Sequence, residues 1–305
     1  MNKLRITTGE LARICGVSQG TVDRALNGRT GIKQETRERI LRIASQYGFR
    51  NVPGNTKEVG GKSRQIGVIV FNLNNEYFCK LITEIEAACR KLGYVTLVMF
   101  TNYDRQLEIE SIRQLYGMGV DGIILCPVNF GQEFANYLRS FDIPIVTVGN
   151  EVELIPYVGV DDFAAMKFAT ERMIQEGFRK LIYFSPAVRY EDAPAQKRRL
   201  EGFLAAGGTE ILRTVLTDID QIEEEYDKET VIICSNDYYA IKVYYKTNGV
   251  SIVGFDDIDM LREHHIQISS VTYSIHEIAS EAVKGIVSGH CKRRVVDHDL
   301  VRICP

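Results

Sequence analysis

Small polar side chains crowd one short stretch near the N-terminus: Ser18, Gln19, Gly20, Thr21, Asp23 and Arg24. Such a cluster at the tip of a helix suits contact with something polar, and in a helix-turn-helix protein that something is DNA. The flanking residues supply the helices. Thr7 and Glu10 form a capping-box pair that starts a first helix. Leu11, Ala12 and Cys15 fall on one face of it. Gly16 stops it, Val17 is the apolar turn residue, and Ser18 caps a second helix. Val22, Ala25 and Leu26 face inward, leaving Gln19, Gly20, Asp23 and Arg24 outward, and Asn27-Gly28 ends the helix. A third helix is expected over 34–47, with Ile40, Leu41, Ile43 and Ala44 inward.

Charge separates this head from the rest. Residues 1–64 hold 13 Lys and Arg against 5 Asp and Glu, a net of +8; the remainder holds 24 against 35, a net of −11. A basic head on an acidic body is the electrostatic footprint of a nucleic-acid-binding module. Catalytic signatures are missing: there is no GxSxG, HExxH or P-loop. Gly117, Gly119 and Gly122 spell GxGxxG, but they follow a helix and open a strand, the reverse of a dinucleotide site. No enzyme activity and no cofactor are expected. The seven cysteines form no CxxC and sit in apolar contexts, which fits buried thiols in a reducing cytosol. No apolar run approaches a membrane span and no signal-peptide core is present, so a cytoplasmic protein is expected.

After a Pro- and Gly-containing linker the chain alternates strands and helices. Strands are expected at 66–71, 94–100, 122–128 and 144–148, with helices at 77–92, 106–116 and 133–140 between them. The rhythm restarts near Val158: helices at 163–175, 194–206 and 238–246, strands at 180–184, 231–235 and 251–255, and a weak strand at 211–216. A helix at 275–287 and a strand at 300–303 finish the chain. Val- and Ile-rich runs alternating with helices indicate parallel sheets covered on both faces. Two doubly wound α/β lobes put their strand ends at a shared cleft, where ligands bind.

With GVSQGTVDRALNG at 16–28 and QETRERILRIASQYGF at 34–49, the chain resembles the LacI/GalR family of transcriptional repressors. The body adds IGVIV at 66–70, NEYF at 75–78, VDGIIL at 120–125, RLEGF at 199–203, SND at 235–237 and VGFDD at 253–257. The resemblance implies a small all-α helix-turn-helix domain followed by an α/β core of two parallel-sheet lobes, like a type I periplasmic binding protein. It implies a homodimer that binds a double-stranded DNA operator and a sugar or other small effector. Domains are expected at 1–48 (head), 49–64 (hinge) and 65–305 (core). Lobe one would take about 65–157 and 274–290, lobe two about 158–273 and 291–305. The family's hinge ends in a leucine that wedges into the minor groove; Glu58 stands there, after Pro53 and Gly54. A carboxylate makes no apolar wedge, although Val59 serves if the register slips by one. No heptad tail is seen, so no tetramer is expected.

By the same resemblance Gln19, Gly20 and Arg24 lie where the family reads base edges. Arg pairs with guanine O6 and N7, and Gln with adenine. Asp23 accepts from cytosine N4 or orients Arg24; Ser18 and Thr21 contact phosphate or only cap the helix. Thr7 and Asn27 are counted with the DNA-contacting set, and Arg5, Lys33 and Arg50 are phosphate candidates. For the effector, strand ends supply Asn75, Tyr77 and Phe78, whose aromatic rings suit the apolar face of a sugar, unless Phe78 is simply core. Arg199 offers a donor fork, unless it makes a surface ion pair with Asp192 or Glu201. Asn236 and Asp256 each follow a lobe-two strand; Asp256 suits two vicinal hydroxyls, or with Asp257 and Asp259 a metal. Tyr273 replaces a glutamine, and Asn129 and Phe130 replace a charged or hydroxyl-bearing pair, of pentose-binding relatives. A neutral sugar or polyol is therefore expected rather than a phosphorylated one. The rivals are a solute-binding protein, which would need a signal peptide and no basic head, and a regulator answering to a non-sugar metabolite.

Overall fold

Apolar residues recurring at helical spacing give the head its three helices: α1 (Thr8–Cys15), α2 (Gln19–Leu26) and α3 (Gln34–Gln46). This computed structural model describes residues 8–26, 30–46, 62–186 and 193–302. The chain divides into two units, Met1–Gln65 and Ile66–Pro305. In the first, Leu11, Ala12, Cys15, Val22, Ala25, Leu26, Ile40 and Ala44 pack into one small core. Gly16 turns the chain at φ +64°, where a Cβ would be strained. The Arg39 guanidinium of α3 donates to the Cys15 carbonyl at 3.1 Å, satisfying an orphan acceptor at the end of α1. Leu41, expected inward, is 37% exposed. Ile40 and Ala44 define the buried stripe of α3, and Leu41 stands one helical step, about 100°, away from it.

Strand β1 (Gln65–Val70) leads from the unit boundary into the second unit, followed by α4 (Glu76–Lys91), β2 (Val95–Phe100), α5 (Arg105–Met118), β3 (Gly122–Leu125), α6 (Gln132–Arg139), β4 (Ile145–Val148) and β5 (Tyr157–Val160). The unit continues with α7 (Asp162–Gln175), β6 (Lys180–Phe184), α8 (Pro194–Ala205), β7 (Leu212–Leu216), β8 (Thr230–Cys234), α9 (Asp237–Lys246), β9 (Ser251–Phe255), α10 (Met260–Glu263) and β10 (Ser269–Tyr273). It ends with α11 (Ile275–Ser288), β11 (Arg294–Val296) and β12 (His298–Arg302). The strands form two six-stranded sheets, ordered β11-β5-β4-β3-β1-β2 and β12-β10-β9-β8-β6-β7. Only β12 runs antiparallel among the registered pairs, against β10. Buried strands such as Ile66–Val70 and Val231–Cys234 carry apolar residues on both faces, as helix-covered parallel sheets require.

Two details correct the expected lobe boundaries. Strand β5 pairs with β4, and β11 pairs with β5, Val295 opposite Gly159. Residues 157–160 and 294–296 therefore complete the first sheet, although 158–160 and 291–305 were expected in lobe two. Among the described residues the chain crosses between sheets three times: after β5, after β10 and after β11. Strand β10 had no counterpart in the sequence pattern; it pairs in parallel with β9, the strand before it, and antiparallel with β12. Among the described residues no helix is long and apolar enough to cross a membrane.

Candidate functional site

The tip of α2 is built by one hydroxyl. The Ser18 Oγ accepts from the Thr21 N–H at 3.2 Å, which caps the helix, and lies 2.8 Å from Thr21 Oγ1. Ser18, Gln19, Gly20 and Arg24 are exposed, while Thr21 and Asp23 are half-buried. Opposite them, Val22, Ala25 and Leu26 anchor the helix in the core. Lys33 is exposed just before α3, its carbonyl accepting from the Arg37 N–H at 3.1 Å. Thr7, Asn27, Arg5 and Arg50, and the hinge over 51–59, lie outside the described residues.

A cavity of about 550 Å³ opens where strand ends of the two sheets face one another. Asn75, Tyr77, Phe78, Phe130, Arg199, Asn236, Asp256 and Tyr273 all line it. Asn129 does not: its carboxamide donates to the Arg105 carbonyl at 2.8 Å and to Glu108 at 2.7 Å, which turns it into the wall. The remaining lining shows what the sequence reading missed. Phe71 stacks on Tyr103 at 4.6 Å and meets Phe78 edge-on at 5.0 Å, giving lobe one an aromatic shelf. Phe78 belongs both to the core and to the cavity wall. Lobe two adds Gln196 and Tyr238, and Asp162 opens α7 beside them.

The amides of the wall are pre-set. Asn75 caps α4, accepting from the Tyr77 N–H at 3.0 Å, and Asn236 caps α9, accepting from the Tyr239 N–H at 3.1 Å. Each uses its oxygen on the backbone, so the –NH₂ group is what remains to donate. Asn150 reaches across the cleft. Its Oδ1 accepts from the Ala195 N–H of α8 at 3.1 Å, and its Nδ2 donates to the Pro127 carbonyl at 3.2 Å.

At the centre sits a buried charge group. Arg199, on α8, donates to Asp162 Oδ1 at 2.7 Å and to the Ser235 carbonyl at 2.7 Å, and lies 3.6 Å from Asp256 Oδ1. Its guanidinium stacks 3.6 Å above the Phe255 ring. The Tyr273 hydroxyl donates to Asp256 at 2.7 Å. Burial works against the charge on Arg199, but Asp162 and Asp256 outweigh it and hold the guanidinium protonated. Burial pushes the Asp256 carboxyl up to about 6, with Arg199 and the Tyr273 bond pulling it back. Asp162 is raised by burial in the same way, against the pull of Arg199. Asp256 also adopts φ +104°, rare for a residue with a side chain and a form of strain that clusters at functional sites.

A second carboxylate holds this strained corner. Asp237 accepts from Ser270 Oγ at 2.7 Å and from the Ile258 N–H at 3.0 Å, and burial raises its pKa well above the ordinary value. Gly254 leaves the room it needs: a Cβ there would stand 1.9 Å from Asp237 Oδ1. The two neighbouring aspartates pair elsewhere, Asp257 largely buried and Asp259 exposed. Asp257 binds Arg262 at 2.7 Å and Asp259 binds Lys80 at 2.9 Å.

An exposed recognition-type helix and a two-lobed body with a polar, aromatic-walled cleft define a helix-turn-helix head followed by a periplasmic-binding-protein-like core. Residues 7–51 match the family described as bacterial regulatory proteins, lacI family. Residues 63–254 match the periplasmic binding proteins and sugar binding domain of the LacI family. The chain belongs to the LacI family. It is a DNA-binding transcriptional regulator with an effector-binding body. Catabolite control protein A of Priestia megaterium is 22% identical over 98% of this chain and 97% of its own length. Two solved structures share the fold. The lac repressor dimer bound to operator and the anti-inducer ONPF covers 97% of this chain and 98% of its own, at 15% identity and a TM-score of 0.66. A periplasmic binding protein/LacI transcriptional regulator from Alkaliphilus metalliredigens QYMF, complexed with D-xylulofuranose, covers 78% and 98%, at 20% identity and a TM-score of 0.67.

Proposed function

We propose that this protein is a repressor whose hold on operator DNA is set by a neutral sugar or polyol bound between its lobes. The observation that carries the ligand class is the state of Arg199. Its guanidinium is already matched by Asp162, Asp256 and a carbonyl, so Arg199 offers an anion no spare charge, and Arg105, the other cation of the lining, is exposed. Asp256 Oδ2 has no protein partner among the described residues, and an oxygen so placed accepts from ligand hydroxyls. The –NH₂ groups of Asn75 and Asn236 donate to ligand oxygens, and the Phe71–Tyr103 shelf takes an apolar ring face. The sugar-bound Alkaliphilus neighbour supports the same reading.

At the head, Gln19, Gly20 and Arg24 read base edges while Ser18, Thr21 and Lys33 meet phosphates. Asp23 orients Arg24 or reads cytosine. Two heads on a homodimer engage the half-sites of a roughly palindromic operator, divided from the core near residues 49–64. Effector acts through its different affinity for two lobe arrangements. A thermal-shift screen of the full chain against free sugars, polyols and sugar phosphates tests the ligand class. A free sugar or polyol at a hundredfold excess over its Kd adds about 2.7 kcal/mol of stability. Saturable binding of a sugar phosphate, with no response to any free sugar or polyol, would contradict it.

A further inference from the structure

The loop after β3 is held by a carboxylate that never reaches the cavity. Glu108, in the first turns of α5, is fully buried. It accepts from the Val128 N–H at 2.7 Å, from the Asn129 N–H at 3.0 Å and from Asn129 Nδ2 at 2.7 Å. The same loop presents Pro127, Val128 and Phe130 to the cavity. Three donors converge on two oxygens, and none of these partners is an acceptor. The arrangement fits an ionised carboxylate and not a protonated one, whose O–H would point at another N–H.

We propose that Glu108 is a positioning residue of the effector site, a charge-operated clamp that sets the Pro127–Phe130 wall and releases it when the carboxylate gains a proton. This rests on the reading of the cavity as the effector site; the clamp itself is independent of which ligand binds. Burial raises the Glu108 pKa from 4.5 to about 7, against the pull of its hydrogen bonds and of Arg105. The other titratable group facing it is Cys126, at the end of β3, whose thiol burial holds far above its ordinary range, so it stays protonated. The clamp therefore works above about pH 7 and fails below it. Folding stability moves the other way. The raised pKa favours the folded state fully below about 4.5, and that contribution is lost as pH rises through about 7. A wall that tightens while the fold weakens, over one pH interval, is a signature a merely structural carboxylate does not give.

The test is NMR amide exchange on the full chain without ligand, corrected for intrinsic rates, between about pH 5.5 and about pH 8.5. Protection of the Val128 and Asn129 amides is expected to rise roughly tenfold across the interval, the scale of about one hydrogen bond, while protection of the Ile232 amide in β8, which follows the whole fold, does not rise. Glu108→Gln keeps the shape but cannot accept from all three donors, and its protection is expected to be low and independent of pH. Cys126→Ala is expected to keep the wild-type profile. Wild-type protection that is level across the interval would overturn the proposal whether or not the variants fold. A Glu108→Gln profile matching the wild type would do so as well. Neither result bears on whether the cavity binds a sugar, which the thermal-shift screen decides separately.

Discussion

The tip of α2 and the centre of the cavity use similar side chains under opposite conditions. Arg24 is exposed on a short helix whose far side is core, and in the proposed function its work lies with DNA. Arg199 is buried among Asp162, Asp256 and a carbonyl, so its first duty is to the fold. Removing an exposed reader costs recognition and leaves stability alone. Removing a buried ion-pair partner strands charge and damages both.

The largest effect that can break this contrast is at Arg199. Arg199→Ala leaves two buried carboxylates unpaired, a loss of about 3–5 kcal/mol by the usual cost of halving a buried pair. Urea unfolding measures it; a loss below about 1 kcal/mol would mean the centre is wetter than its geometry says. Next is Gly254→Ala, which pushes on Asp237 and through it on the loop carrying Asp256. A loss of about 1–3 kcal/mol, as for overpacking, is expected by the same measurement. At the head, Arg24→Ala is expected to lower preference for the best duplex over others about five- to a hundredfold with an unchanged melting temperature. Lys33→Ala is expected to weaken all duplexes alike and to reduce the salt dependence by about one unit of slope. Equal effects of both on sequence preference would erase the assigned division of labour.

The smallest effect concerns Asp256. Its pKa is raised from 3.8 to about 6, so the associated stability is present below about 3.8 and is lost as pH rises through about 6. Tyr273→Phe removes a hydrogen bond to the ionised form, worth about 1 kcal/mol, and is expected to move that loss toward higher pH. Stability profiles of the two proteins between about pH 3.5 and about pH 8 compare them directly.

The head was legible in the sequence because its signals are local: a C-cap glycine at Gly16, a capping serine at Ser18 and one apolar stripe per helix. Leu41 was misplaced because the apolar residues Ile40, Leu41, Ile43 and Ala44, crowded around Arg42, hide which of them define the stripe. The parallel sheets were legible from their Val- and Ile-rich strands. The membership of β5 and β11 was not, since three crossings between lobes leave no local mark. The site divides the same way. Arg199 and Asp256 stand at a helix start and a strand end, where ligand groups are looked for. Asp162 reads locally as an acidic residue in the first turn of α7, and only the tertiary fold brings it onto Arg199, 37 positions on. Asn129 went wrong for that reason too: its neighbour across the chain, Glu108, claims it first.

Binding of the full-length protein to duplexes selected from a random pool, at moderate salt, with and without a sugar that raises its melting temperature, puts the central claim to its most direct test. One duplex sequence should be preferred, and the sugar should change that affinity by about tenfold or more, a coupling of about 1–3 kcal/mol. Equal affinity for every duplex, unmoved by any sugar or polyol, would contradict the account.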